Sequence, residues 1–142
     1  WDEPFNGVLW TPSPCPEAAI YYDRETGRRK PGSIRLRVDN NKLNFRPGSG
    51  HTLHLDEGVI YRYSMWIKTE GDVHAWIEGF EMLFGPGSGT KYDSAVVGGD
   101  TDWTHVELRL TGKGDEAPFG QTSIAAEGKG KAWFTDMVFE KE

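Results

Sequence analysis

Cysteine is nearly absent from this chain: Cys15 is the only one in 142 residues, so no internal disulfide can staple the fold. It sits in a proline-rich stretch, residues 12–16, without the neighbouring base or electropositive setting a thiolate nucleophile needs, and reads as structurally incidental. No apolar run approaches the roughly 18 residues of a membrane-crossing helix, which gives no support to a membrane partner. Basic charge is in deficit, with 16 Lys and Arg against 22 Asp and Glu and a net charge of −6, and this argues against nucleic acid or another polyanion as partner. The one basic cluster, Arg28-Arg29-Lys30, lies between Gly27 and Pro31 and reads as a solvated turn. Convincing helical periodicity is missing, as are nucleophile motifs and a phosphate-binding loop. The chain opens on Trp1 with neither Met nor a targeting leader, as a mature or excised segment would.

What remains is rich in glycine, proline and aromatic residues. Eighteen glycines and eight prolines punctuate short segments of alternating or β-branched character, which is the rhythm of an all-β protein. Ser33-Ile34-Arg35-Leu36-Arg37-Val38 puts Ile34, Leu36 and Val38 on one face. Residues 61–69 send Tyr61, Tyr63, Met65 and Ile67 one way and Arg62, Ser64, Trp66 and Lys68 the other. Residues 73–80 oppose Val73, Ala75 and Ile77 to His74, Trp76 and Glu78. Further strands are expected at residues 8–10, 18–22, 51–55, 91–97, 103–110, 122–127 and 132–140. About ten strands in one domain spanning residues 1–142 predict a β-sandwich of two antiparallel sheets.

The aromatic content, 13% of the chain, exceeds the obvious needs of such a core, so some rings should stand outside. Alternation singles out Trp76, which faces away from the core if Val73, Ala75 and Ile77 face into it, and which then lies beside His74 and Glu78. An aromatic platform flanked by hydrogen-bonding groups suits a sugar, which offers C–H patches on the ring face and hydroxyls around its edge. His51, His54 and Asp56 do not make a metal cluster, because residues three apart on a strand face opposite sides.

The order of several short motifs resembles the jelly-roll carbohydrate-binding modules of families four, nine and twenty-two. They are Glu3-Pro4-Phe5-Asn6-Gly7 followed by Trp10, Gly32-Ser33-Ile34-Arg35-Leu36, residues 58–68 as a Gly-x-x-Tyr-x-x-Ser-x-Trp-Ile-Lys strand, Thr101-Asp102-Trp103-Thr104, and residues 130–138 closing the set. The resemblance covers nearly the whole chain and implies a non-catalytic polysaccharide-binding module. Its ligand would be a β-linked plant or algal glycan of the β-glucan or xylan type. The module would be extracellular or on the cell surface, attached to a carbohydrate-active enzyme that it targets to substrate.

In such modules the concave face draws on strands that correspond here to residues 73–80, 91–97 and 122–127. The resemblance thereby adds Tyr92, Ser123 and Glu127 to the ligand set, with Phe45 as a second platform and Arg24 as a loop contact. It also implies that Trp103 and Trp133 pack the core. A structural calcium known in the group would fall on Asn6 and Asp136, with backbone carbonyls completing its shell. Two other classes use the same architecture: a jelly-roll lyase or hydrolase, for which Glu78 and Glu127 are the available carboxylates, and a protein-binding adhesion sandwich.

Overall fold

The computed structural model describes residues 13, 15–46, 53–82, 89–113 and 119–142. The expected strand at residues 8–10 lies outside this set. The described elements are all strands: β1 (Ile20–Asp23), β2 (Ser33–Phe45), β3 (Leu53–His54), β4 (Ile60–Met82), β5 (Thr90–Asp93), β6 (Val97–Gly98), β7 (Thr101–Thr111) and β8 (Phe119–Lys141). None is a helix that could cross a membrane. The hydrogen-bonded order is β1-β2-β8-β4-β5, with β3 on β8 and both β6 and β7 on β4, and every pairing of these strands is antiparallel.

Eight strands are described where about ten were expected: that at residues 8–10 is outside the described set, that at residues 91–97 is split into β5 and β6, and two expected pairs are continuous. Residues 61–69 and 73–80 form one strand, β4, and residues 122–127 and 132–140 form another, β8. Each runs 23 residues, which fully extended would span ~75 Å, far more than the width of a domain this small. The ribbon therefore folds over. The crease is where Gly71 pairs with Gly130, next to Gly128 opposite Val73. Gly71 and Gly128 hold φ of 96° and 107°, and a β-carbon on Gly128 would come within 2.4 Å of the Asp72 carbonyl oxygen, so only glycine fits. β2 turns the same corner with a bulge at Asn40, whose φ of 56° suits asparagine better than most residues.

Folding over produces two layers. The first contains β1, β7, the start of β2, and the β4 and β8 segments beyond the crease toward residues 60 and 141. The second contains β3, β5, β6, the end of β2, and the opposite segments of β4 and β8. The layers meet closely: the Tyr63 hydroxyl donates to the Ser123 carbonyl at 3.3 Å, and a β-carbon on Gly79 would lie 2.6 Å from a Leu108 methyl. Between them Ile34, Leu36, Met65, Ile67, Ile77, Ile124 and Phe134 are fully buried, each worth roughly 2 kcal/mol of transfer free energy. Trp133 is buried but sits outside this core: it shares the outer side of the first layer with Arg35 and Lys68, and its indole N–H donates to Asp23 at 3.0 Å. Trp103 is half-buried and likewise stands outside the core cluster, so neither tryptophan packs the core as the resemblance implied.

Candidate functional site

The outer face of the second layer follows from the register. Side chains directly opposite one another across a sheet share a face, which gives successive rows of Lys42, Glu127 and His74; Asn44, Ala125 and Trp76; and Ser123, Glu78 and Asp93. Lys91 and Phe80 form the next row. Trp76, His74, Glu78, Glu127 and Ser123 are thus on one surface, as expected.

Trp76 faces away from the core but is only 8% exposed. Ala125 beside it leaves room for the indole, and the Lys42 ammonium lies over the ring, 5.3 Å from its centroid. Among the described residues Lys42 makes no salt bridge, and its ammonium also acts at longer range on the Glu78 carboxylate. The Trp76 N–H is buried without a hydrogen-bond acceptor in good geometry, though it lies near enough to Glu78 to favour the ionised carboxylate. Beside the ring is a shallow depression of about 340 Å³ bounded by His74, Trp76, Asp93, Val96 and Glu127. Val96, on the segment between β5 and β6, is 56% exposed and adds an apolar edge.

Glu78 is 1% exposed and fully engaged: Asn44 Nδ2 donates to one carboxylate oxygen, and Lys91 Nζ to the other at 2.8 Å. Burial, the largest single influence, would push its carboxyl up, but the hydrogen bond from Lys91, the nearby Trp76 N–H and the Lys91 and Lys42 ammoniums together hold it below the ordinary carboxylate value. Lys91 is raised in turn, mainly by the hydrogen bond to Glu78. A general acid needs the opposite shift, so Glu78 is a strut for the face and is unsuited to proton donation. Ser123 is also buried, at 2% exposure, its hydroxyl turned to the Phe45 carbonyl at 3.3 Å. It supports the surface from beneath.

The fold places these elements as it does in solved proteins of similar shape. TmCBM61, solved in complex with β-1,4-galactotriose, matches with a TM-score of 0.65 at 16% identity, over 100% of this chain and 97% of its own. The CBM22-2 xylan-binding domain from Paenibacillus barcinonensis gives 0.64 at 10% identity, over 99% of this chain and 96% of that one. A Clostridium thermocellum xylanase containing CBM22-1 and GH10 modules, complexed with xylohexaose, gives 0.62 at 14% identity, over 89% of this chain and 25% of that one. The fold is that of carbohydrate-binding modules. No family model and no curated protein sequence matches the chain.

Three expected ligand contacts lie elsewhere in this module fold. Tyr92 pairs with Gly79, so its ring packs against the core, and its hydroxyl donates to buried Glu81 at 3.1 Å. In the four-residue strand β5 it is Lys91 and Asp93 that face outward. Phe45 is 5% exposed within the core, paired with Ile124, because the bulge at Asn40 reverses the phase of β2. Arg24 follows β1 at the edge of the first layer, its guanidinium 5.6 Å from the Tyr22 ring, far in the topology from Trp76.

The same bulge turns Lys42 and Asn44 outward, and sequence alternation alone missed both. The signal was the Asn40-Asn41 pair inside a strand, since asparagine tolerates the left-handed backbone a bulge needs.

The calcium expectation meets a difficulty at Asp136. Its Oδ2 accepts from Arg28 Nε at 3.0 Å, so a guanidinium already neutralises the one carboxylate expected to hold the ion. Asn6 lies outside the described residues, and among the described residues no group of three or more His, Cys, Asp or Glu could hold a metal ion. The described residues do not fit a calcium site.

Proposed function

We propose that the chain is a non-catalytic polysaccharide-binding module that takes a β-linked glycan across the Trp76 face. The observation carrying this reading is Trp76 itself: an indole on the outer side of the layer, capped by a lysine that makes no salt bridge among the described residues and ringed by His74, Glu127 and Asp93. A cation over an aromatic ring at an exposed site is worth about 0.5–1 kcal/mol. A sugar ring offers more contact area than one ammonium, so it can displace Lys42, which then remains as a hydrogen-bond donor at the ligand's edge.

β-1,4-Galactotriose and xylohexaose in proteins of this fold support a β-linked plant or algal glycan as the ligand class. The modular xylanase among those proteins supports attachment to a carbohydrate-active enzyme, a targeting role, and an extracellular or cell-surface setting.

Affinity electrophoresis against β-glucan, xylan, galactan, mannan and algal polysaccharides tests the proposal. Retardation in at least one gel is expected, lost in Trp76→Ala and retained in Arg24→Ala. Migration unchanged across the whole panel would sink the reading, and release of reducing ends from a retarding polysaccharide would replace it with a catalytic one.

A further inference from the structure

The outer face of the first layer carries a second groove, of about 800 Å³, opposite the Trp76 face. Its floor is Trp66 on β4, with His105 of β7 tilted against it at a centroid distance of 5.1 Å. Arg28 lies over the indole, 3.9 Å from the ring centroid, and is clamped there by Asp136. One residue of the basic turn that reads as merely solvated in the sequence, Arg28, is therefore docked onto the sheet. Both acids in the groove are spent, Asp136 on Arg28 and Glu140 on Arg62.

Two donors are left over. Arg29 lines the groove, is exposed, and has no ion-pair or hydrogen-bond partner among the described residues. Arg62 Nε is buried without an acceptor. Buried donors in native proteins are almost always satisfied, and Arg62 lines the groove with exposed Arg29, so the unused donor capacity of these two guanidinium groups points to an acceptor the ligand brings.

We infer that this groove is a second glycan-binding site, selective for sugars bearing an anionic group, either the carboxylate of a uronic acid or a sulfate ester. Planar guanidinium forks match such oxygens two at a time, and Arg28, held rigid between Trp66 and Asp136, loses little freedom on binding. The sugar ring lies along the exposed apolar edge supplied by Val138, which is 38% exposed. The chain's net charge of −6 does not oppose this, since the attraction is local to the groove and the surplus there is positive.

Isothermal titration of the full chain with trigalacturonic acid, a sulfated galactose oligosaccharide and neutral galactotriose tests the inference. At least one anionic ligand should bind, more weakly as salt is raised, and which one binds identifies the carboxylate or the sulfate as the preferred group. Arg29→Ala, a change on the surface that leaves the melting temperature unmoved, should weaken that binding about tenfold, and Trp76→Ala should leave it intact. The inference is overturned if neither anionic ligand binds, if neutral galactotriose binds this groove equally well, or if Trp76→Ala abolishes anionic binding while Arg29→Ala does not. Because the two variants report on opposite layers, failure here leaves the reading of the Trp76 face standing.

Discussion

Both outer faces of the sandwich carry a tryptophan under a cation, yet the two cations are held differently. Lys42 lies 5.3 Å from the Trp76 centroid with no salt bridge among the described residues, whereas Arg28 lies 3.9 Å from the Trp66 centroid and is anchored by Asp136 at 3.0 Å. On the proposed reading a ligand sweeps the loose cap aside and the indole beneath it is the platform. A clamped cap cannot be swept aside, so on the other face the guanidinium itself is the recognition element. On that reading the same pair of residue types serves two recognition chemistries, decided by whether a carboxylate is hydrogen-bonded to the cation.

The sharpest break of this contrast is Trp76→Ala. The indole is 8% exposed, so its removal should cost stability, about 3 kcal/mol, as well as binding to neutral glycans. Chemical denaturation and affinity electrophoresis on the same sample measure the two losses. Binding lost with no change in stability would mean the ring is far more exposed in solution than the capped arrangement allows.

Glu78 comes next, because the Trp76 face rests on it. Glu78→Gln should destabilise by about 2 kcal/mol, since it trades a doubly engaged buried carboxylate for an amide facing Lys91. The folded-state pKa is depressed below the ordinary value of 4.5, so the carboxylate's contribution is fully present above that value. It is lost as pH falls through the lower folded-state value. The stability gap between the native chain and Glu78→Gln, followed by denaturant titration, should therefore be constant near neutrality and shrink on the acid side of 4.5. A gap that widens in acid would show the carboxyl to be held protonated.

Arg28→Ala acts on the clamped cap. Loss of the ion pair and the stacked guanidinium should cost about 1 kcal/mol and leave Asp136 without its cation. Calcium then distinguishes two roles for that carboxylate: the native chain should melt at the same temperature with calcium or a chelator, while the variant has a free carboxylate to offer. A native melting temperature that falls on chelation would restore the calcium expectation at Asp136 despite its pairing with Arg28.

Much of this architecture is legible from alternation, because one side of each strand is buried and a period of two cannot be disguised over six or more residues. Ile34, Leu36 and Val38 in β2, and Trp76 against Ala75 and Ile77 in β4, face as the sequence implies. Alternation fails where phase is broken or too short to establish. One residue in the left-handed region at Asn40 reverses β2, which takes Phe45 inside and brings Lys42 and Asn44 out. Tyr92 lies in a strand of four residues, too brief to show which side is wet. The crease at Gly71 and Gly128 read as a break between strands, since nothing local distinguishes a glycine that ends a strand from one that bends it.

Lys42→Ala is the smallest perturbation and the most direct test of the loose cap. With no hydrogen bond or salt bridge among the described residues and only a longer-range attraction to Glu78 besides the ring, its loss should change stability by less than about 0.5 kcal/mol, in contrast to Arg28→Ala. It should leave Trp76 more open to acrylamide quenching, a change that disappears in the Trp76→Phe background. Because the displaced ammonium goes on to donate to the ligand, neutral-glycan affinity should fall by a few-fold while stability stays near native. A large loss of stability would mean that Lys42 is tethered as firmly as Arg28, and the distinction between a cap that yields and one that recognises would fail.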